Sequence, residues 1–188
     1  MSMLILKAGL HDTFQDGGRK GWQHVGVNIG GAMDVTSMQI ANAMVGNKLD
    51  EGVLEFTFPA PIIQFNETAL VVIEGADFEA KLNNSYFVGH KPFLVTAGTV
   101  LSFTKWKQGT YAYLAVHGGY SLHKWLGSTS THTKVQAGGF DGRKLLKGDV
   151  IAFKKKAKNI DNLTIFPWYA DVKHFMNTAD QIRCVTGI

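Results

Sequence analysis

The chain has 188 residues, 45% of them hydrophobic, which is enough for one well-buried domain. No apolar run approaches a membrane span. Met1-Ser-Met-Leu-Ile-Leu6 lacks the basic start, long apolar stretch and small-residue cleavage site of a signal peptide, so the expected location is cytoplasmic, with no membrane partner. The formal charge of +4 gathers partly in Lys154-Lys-Lys-Ala-Lys158, which reads as a solvated linker rather than a nucleic-acid surface. Cys184 is the only cysteine, which excludes an intrachain disulfide and a multi-cysteine metal site; the alternation around it, Gln181-Ile-Arg-Cys-Val185, reads as a strand carrying a structural thiol.

Glycine supplies 21 residues, well above the average of about 7%, and short β-branched and aromatic runs recur between turn signals, the pattern of an all-β barrel or sandwich. In chain order, strands are expected at Leu4–Lys7, Leu54–Phe58, Ile62–Phe65, Ala69–Glu74, Phe78–Leu82, Val100–Thr104, Tyr111–Val116 and Val150–Phe153. Asn83-Asn84 suits a two-residue hairpin turn, and Gly98 and Gly148 each read as a turn leading into an apolar strand. One helix is expected from about Val35 to Val45, with Asp34 as N-cap, Gly46 beyond its end, and Val35, Met38, Ala41 and Val45 facing the core. A second short helix is possible at Leu122–Leu126. Periodicity is lost after Lys158 and recovers at Gln181, so residues 1–158 read as one domain and 159–188 as a connection and the start of a second.

The densest chemistry lies in Thr13-Phe-Gln-Asp-Gly-Gly-Arg-Lys-Gly-Trp-Gln-His-Val-Gly-Val-Asn-Ile-Gly-Gly-Ala-Met-Asp34. Its glycines, Gly30 and Gly31 among them, let a ligand approach the main chain, while Gln15, Asp16, Arg19, His24 and Asp34 supply acceptors, a bidentate cation and a titratable imidazole. Asp16 with Arg19 is open to two readings, an anion clamp or a salt bridge that pins the loop. Asp34 is open to two readings, a helix N-cap with no further role or part of an anion pocket at the helix N-terminus beside Gly30-Gly31 that holds a substrate carboxylate or phosphate. His24 is either a general acid–base group or an orienting donor. A second constellation runs Tyr111-Ala-Tyr-Leu-Ala-Val-His-Gly118-Gly119, then Leu126-Gly-Ser128-Thr-Ser130-Thr131: either amides and hydroxyls for a carbonyl or phosphate oxygen, or a corner turn with capping hydroxyls. There is no G-x-x-x-x-G-K-[ST] phosphate loop and no G-x-S-x-G elbow.

The first run resembles the signature T-x-Q-D-x-G-R-x-G-x-x-x-x-G-V-x-x-x-G-A-M-D of the allophanate hydrolase subunit 2 family of biotin-dependent carboxyltransferase-like subunits. Its relatives include the C subunit of the bacterial ATP-dependent 5-oxoprolinase, the antagonist of a sporulation-kinase inhibitor, and part of the carboxyltransferase region of urea carboxylase. The second resembles that family's Y-L-A-x-x-G-G and L-G-S-[RK]-S-T, departing from it at Thr129, where the family carries a basic residue. Glu55 falls in an L-E-x-x-x-x-x-P pattern, with Arg19 an expected partner, and Gly138-Gly-Phe-Asp-Gly-Arg143 resembles G-G-x-x-G-R. The resemblance implies a mostly β, cyclophilin-like barrel with one or two short helices, of which a second barrel is absent or truncated here. It implies a subunit that opens 5-oxoproline to glutamate with ATP and Mg in an assembled complex, beside B-type and A-type partner subunits. Two alternatives are a carboxybiotin-dependent carboxyltransferase acting on urea or another small amide, and a non-catalytic regulatory module that binds a B-type subunit. Under the first reading Asp16, Arg19 and His24 are the catalytic candidates, and Gln15, Gly30, Gly31, Asp34, Gly118, Gly119, Ser128, Ser130 and Thr131 the ligand-binding ones.

Overall fold

The computed structural model describes residues 1–87, 89–154 and 169–171. The expected strand at Gln181–Val185, the thiol of Cys184 and nearly all of the 159–188 segment lie outside the described residues.

Among the described residues, eleven strands form two antiparallel sheets. In the first sheet β11 (Val150–Ala152), β1 (Ser2–Lys7), β4 (Ile62–Phe65), β9 (Val100–Phe103), β6 (Ala80–Leu82) and β7 (Ser85–Tyr86) lie side by side in that order. The second runs β2 (Thr13–Gln15), β3 (Val53–Phe56), β10 (Gln108–Val116), β5 (Ala69–Asp77), β8 (Phe93–Val95). The core is built by alternation. Met3, Ile5, Ile63, Phe65 and Leu101 of the first sheet meet Phe14, Leu54, Phe56, Val71, Ile73, Ala112 and Leu114 of the second in one buried cluster. The arrangement is mostly β, two antiparallel sheets of barrel-like form with one helix among the described residues, in keeping with the expected fold class.

The opposite face of the second sheet presents Val53, Val72, Tyr113 and Ala115 to the helix α1 (Val35–Met44), which buries Met38, Ala41 and Met44 against them. Asp34 caps this helix by accepting from the Ser37 amide at 3.0 Å, and Gly46 follows its end at φ 70°. Val35 differs from expectation: it is 45% exposed, and Met38, Ala41 and Met44 carry the buried face instead. The segment Leu122–Leu126 is not helical. Trp125 and Ser128 bridge across a tight turn in which Leu126 and Gly127 both take positive φ (50° and 84°), and His123 pairs with Gly139; positive φ at two successive residues cannot continue a right-handed helix. The strands β2 and β8 are additions to the expected set, three residues each and too short to show a period. The Asn83-Asn84 turn between β6 and β7 is present, with Asn83 at φ 54°. Among the described residues no helix is long and apolar enough to cross a membrane.

Candidate functional site

The two motif-bearing segments meet at Asp16. Its Oδ1 accepts from the Ser128 and Ser130 hydroxyls, both at 2.6 Å, and from the Gly18 amide at 2.8 Å. Its Oδ2 accepts from the Thr129 amide at 2.5 Å and the Thr129 hydroxyl at 2.9 Å. Burial alone would raise this carboxyl, but the donors from Ser128, Ser130, Thr129 and Gly18 outweigh it and hold the pKa below its ordinary value. Asp16 is therefore an anion at neutral pH whose oxygens are already engaged. Alongside, the Thr131 amide donates to the Phe14 carbonyl at 2.8 Å and the Thr131 hydroxyl accepts from the Phe14 amide at 3.2 Å, so residues 130–131 run along the free edge of β2. The hydroxyls of Ser128, Thr129, Ser130 and Thr131 thus bond the glycine segment. Thr129, where the family carries a basic residue, adds two of the five bonds to Asp16.

This knot fixes Arg19, a fully buried guanidinium. The loop closes on itself through the Arg19 amide to the Ile29 carbonyl (2.8 Å) and the Ala32 amide to the Asp16 carbonyl (3.0 Å). Nη2 of Arg19 donates to the Ser130 carbonyl, and the guanidinium lies 4.9 Å from the Trp125 ring centroid. Nε and Nη1 have no hydrogen-bond partner. Burial lowers the pKa of Arg19 and the charge of Asp16 opposes that shift, while the intrinsic value keeps the group cationic. Gly30 covers Nη1: a Cβ there would stand 2.7 Å from it, so glycine leaves only a backbone thickness between the charge and solvent. Gly31 packs under the loop, where a Cβ would stand 3.0 Å from the Asp16 carbonyl oxygen and the Gly18 nitrogen.

The end of the segment makes a second cluster, at the helix N-terminus. Tyr113 donates its hydroxyl to Glu55 Oε2 at 2.9 Å and accepts from the Asp34 amide at 2.7 Å; the Met33 amide also reaches Glu55 Oε2, at 2.8 Å. Glu55 pairs with Tyr113 and the Met33 amide, not with Arg19 as expected, because β3 alternation points Glu55 to the helix face while Arg19 sits beneath the 128–131 turn. Burial raises the pKa of both Glu55 and Tyr113.

The remaining candidates are dispersed. His24 is exposed in a single 3₁₀ turn, Gln23–Val25. Gln15 is buried and donates to the Thr13 hydroxyl at 2.9 Å. The Gly118 amide is taken by Asn47 Oδ1 (2.8 Å) and that of Gly119 by the Val116 carbonyl (2.9 Å), so this turn is tied to the segment after α1. Arg143, in the G-G-x-x-G-R segment, forms a bidentate pair with Asp149 at 2.7 and 2.9 Å. Trp125 and Tyr113 escaped the sequence reading; only the single Trp in the turn before Leu126 and the outward position of Tyr113 in strand alternation marked them.

Residues 25–188 match the model of the carboxyltransferase domain, subdomains A and B. The chain belongs to this family. It is 35% identical over 156 residues to the C subunit of the 5-oxoprolinase of Escherichia coli, covering 82% of this chain and 50% of that protein. It is 37% identical over 156 residues to the urea amidolyase of Saccharomyces cerevisiae, covering 82% of this chain and 8% of that protein. The crystal structure of the K. lactis urea amidolyase superposes with a TM-score of 0.79 at 33% identity, over 82% of this chain and 9% of that one. The chain thus spans half the length of the bacterial protein and a small part of the fungal enzyme. In this member of the family the glycine segment and the 126–131 turn form one structural unit, centred on Asp16.

Proposed function

We propose that the chain is part of an ATP-dependent amidohydrolase of the 5-oxoprolinase type, acting with partner subunits on a small lactam. The observation that carries this reading is Arg19: a buried guanidinium with two unpartnered nitrogens, held under a glycine in the family's signature segment. Likeness to a protein named as the C subunit of a 5-oxoprolinase supports the substrate class. Opening the lactam adds one water across the amide C–N bond, giving a carboxylate and an amine. Charge develops on the carbonyl oxygen as water adds to the carbonyl carbon, before the C–N bond breaks and the nitrogen leaves as the amine, and a fixed cation stabilises that oxyanion without reorganisation. Arg19, covered by Gly30, would supply this charge across the loop backbone rather than by direct contact. Asp16 would keep the Arg19 loop in place, and His24, at the loop's exposed tip, would be the group able to exchange protons with solvent.

The sequence has no phosphate loop, and no described residue is assigned to ATP or Mg, which on this reading are held in the complex assembled with the B-type and A-type partner subunits; no step here runs through them. A second reading, carboxyl transfer from carboxybiotin to urea or a similar amide, draws support from the likeness to urea amidolyase. Purification with co-expressed partner subunits, followed by assays of glutamate release from 5-oxoproline and of carboxylation of urea, separates the two. ATP-dependent glutamate release supports the first; carboxybiotin consumption with urea and no glutamate replaces it by the second. Tight assembly with neither activity leaves the regulatory module.

A further inference from the structure

From Lys20 to Gly30 every residue except Val27 is exposed, although the run carries Trp22, Val25 and Ile29. Met33, 66% exposed, continues it. A single exposed apolar side chain needs no explanation, but four between residues 22 and 33 mark a surface suited to cover by another protein. The main chain of this loop is nevertheless tied down. The Arg19 amide donates to the Ile29 carbonyl at 2.8 Å, the Gly26 amide to the Gln23 carbonyl at 3.0 Å, and the Asp16 knot anchors the base. A backbone held in this way has little freedom left to lose on docking.

Charge on the same face has one sign. The sequence has no Asp or Glu from Gly17 to Met33 or from His117 to Phe140, and these are the two stretches that meet at Asp16 and Arg19. Trp125 joins them: its ring lies 4.9 Å from the Arg19 guanidinium and 5.8 Å from the His132 ring, which sets the 122–136 segment against the loop. Lys20 of the loop and Lys124 and Lys134 of the bordering segment are all exposed. Carboxylates mark the margins, with Asp50 beside Gly17, Asp34 bonded to Ser37, Glu51 paired with Lys154, and Asp141 close to His123 and Arg143. An apolar centre with a basic surround fits a protein face that is apolar with an acidic surround.

We propose that residues 20–33 and the bordering 122–136 segment form the docking surface for the B-type partner subunit, and that they receive a carboxylate-rich face of that subunit. This rests on the partner reading given above, and it supplies what the role of Arg19 needs. The charge of Arg19 acts through Gly30, which is itself exposed, so water screens it until another body covers the loop. The B-type subunit is the occupant because the amidohydrolase and the regulatory readings both pair the chain with it. The loop supplies about half of the roughly 20–30 residues that one side of a standard interface uses, and the bordering segment can supply the remainder. Trp22 is the side chain best suited to anchor the contact, as a large, partly exposed indole on a fixed backbone.

The test is calorimetric titration of the chain with purified B-type subunit at low and at high sodium chloride. The wild type is expected to bind, and several-fold more tightly at low salt. Trp22→Ala should weaken binding about tenfold or more, as for an aromatic anchor. Lys20→Glu should weaken it several-fold and reduce its salt dependence. Should Trp22→Ala disturb the fold, Val25→Ser, at a side chain 60% exposed, repeats the apolar test. Tyr86→Ser, at an exposed aromatic residue of the edge strand β7, is the control and should leave affinity unchanged. Unchanged affinity in folded Trp22→Ala, Val25→Ser and Lys20→Glu variants, an equal loss in Tyr86→Ser, or binding indifferent to salt would overturn the docking surface and leave the partner reading standing. A wild-type chain that binds the A-type subunit alone, or neither subunit, would overturn the surface and the B-type pairing together. The lactam reading fails separately, through assembled complexes that release no glutamate.

Discussion

Replacing Asp16 by Asn tests whether this residue builds the loop or performs chemistry. Asn is nearly isosteric but has one acceptor and one donor end. If its oxygen takes the place of Oδ1, its NH₂ faces the Thr129 amide; in the flipped rotamer it faces the Gly18 amide. Hydroxyls can rotate to accept, whereas a backbone N–H cannot, so one buried amide is orphaned either way, at about 1–3 kcal/mol. The bonds that survive lose their charge assistance, about 1 kcal/mol each for two or three bonds. Relief of the desolvation cost of the carboxylate offsets part of this, leaving a net loss of about 2–5 kcal/mol. For a domain of this size that corresponds to about 4–20 °C in Tm. The pH dependence gives a second signature. Because the folded-state pKa of Asp16 is depressed, its contribution is present above the ordinary value of 3.8 and lost as pH falls through the lower folded value, so wild type and Asp16→Asn should converge in acid. Urea denaturation at pH 7 and at pH 3 measures both. An Asp16→Asn protein within about 1 kcal/mol of wild type at pH 7 would refute the account, since a stable variant requires that the five bonds contribute nothing net.

Asp12 has the opposite sign: burial pushes its carboxyl from 3.8 to about 6, against a bond from the Gly9 amide and the attraction of Lys144. Its ionisation therefore costs about 3 kcal/mol at neutral pH, and Asp12→Asn should raise the Tm at pH 8 while removing the fall in stability between pH 4 and 6; unchanged melts at pH 8 would contradict this. Asp34→Ala should cost about 0.5–2 kcal/mol and Asp34→Asn almost nothing, since only Ala removes the acceptor for the Ser37 amide. A stable but inactive Asp34→Asn complex would instead give that carboxylate a direct role. The His90 pKa is raised by its bond to Glu74, so the pair stabilises the fold fully below 6.5 and less as pH rises through the raised value. His90→Gln should flatten the stability profile above pH 6.5, and an identical profile would remove the pair from the account.

The layout was legible in sequence where one face of an element is buried and the other is not. The α1 helix, with Asp34 and Gly46 bracketing an apolar stripe, shows its period in side chains alone, while Ile62–Phe65 shows only a short apolar run broken by Gln64, along which burial alternates. Residues 122–128 do not, since Leu-His-Lys-Trp-Leu has helical composition, whereas positive φ at Leu126 closes a tight turn between Trp125 and Ser128, and His123 pairs with Gly139, sixteen positions away. Asp16 and Arg19 were legible as chemically unusual, but their relation was not: three residues apart, they suggest an ion pair, whereas the carboxylate is taken by hydroxyls from residues 128–130 and the guanidinium by the Ser130 carbonyl and Trp125. The Glu55–Tyr113–Glu74 row depends on register between three strands, which no local pattern encodes.

If Arg19 presents a fixed cation to the substrate, the most direct measurement is glutamate release from 5-oxoproline by the complex assembled with wild type, Arg19→Lys or Arg19→Ala. Lys keeps the charge but not the fork, and Ala removes both. The account predicts folded complexes with turnover reduced about tenfold or more in Arg19→Ala, as for loss of a preorganised charge that stabilises the oxyanion, and an intermediate loss in Arg19→Lys. Assembled, folded Arg19→Ala complexes that release glutamate at the wild-type rate would contradict it.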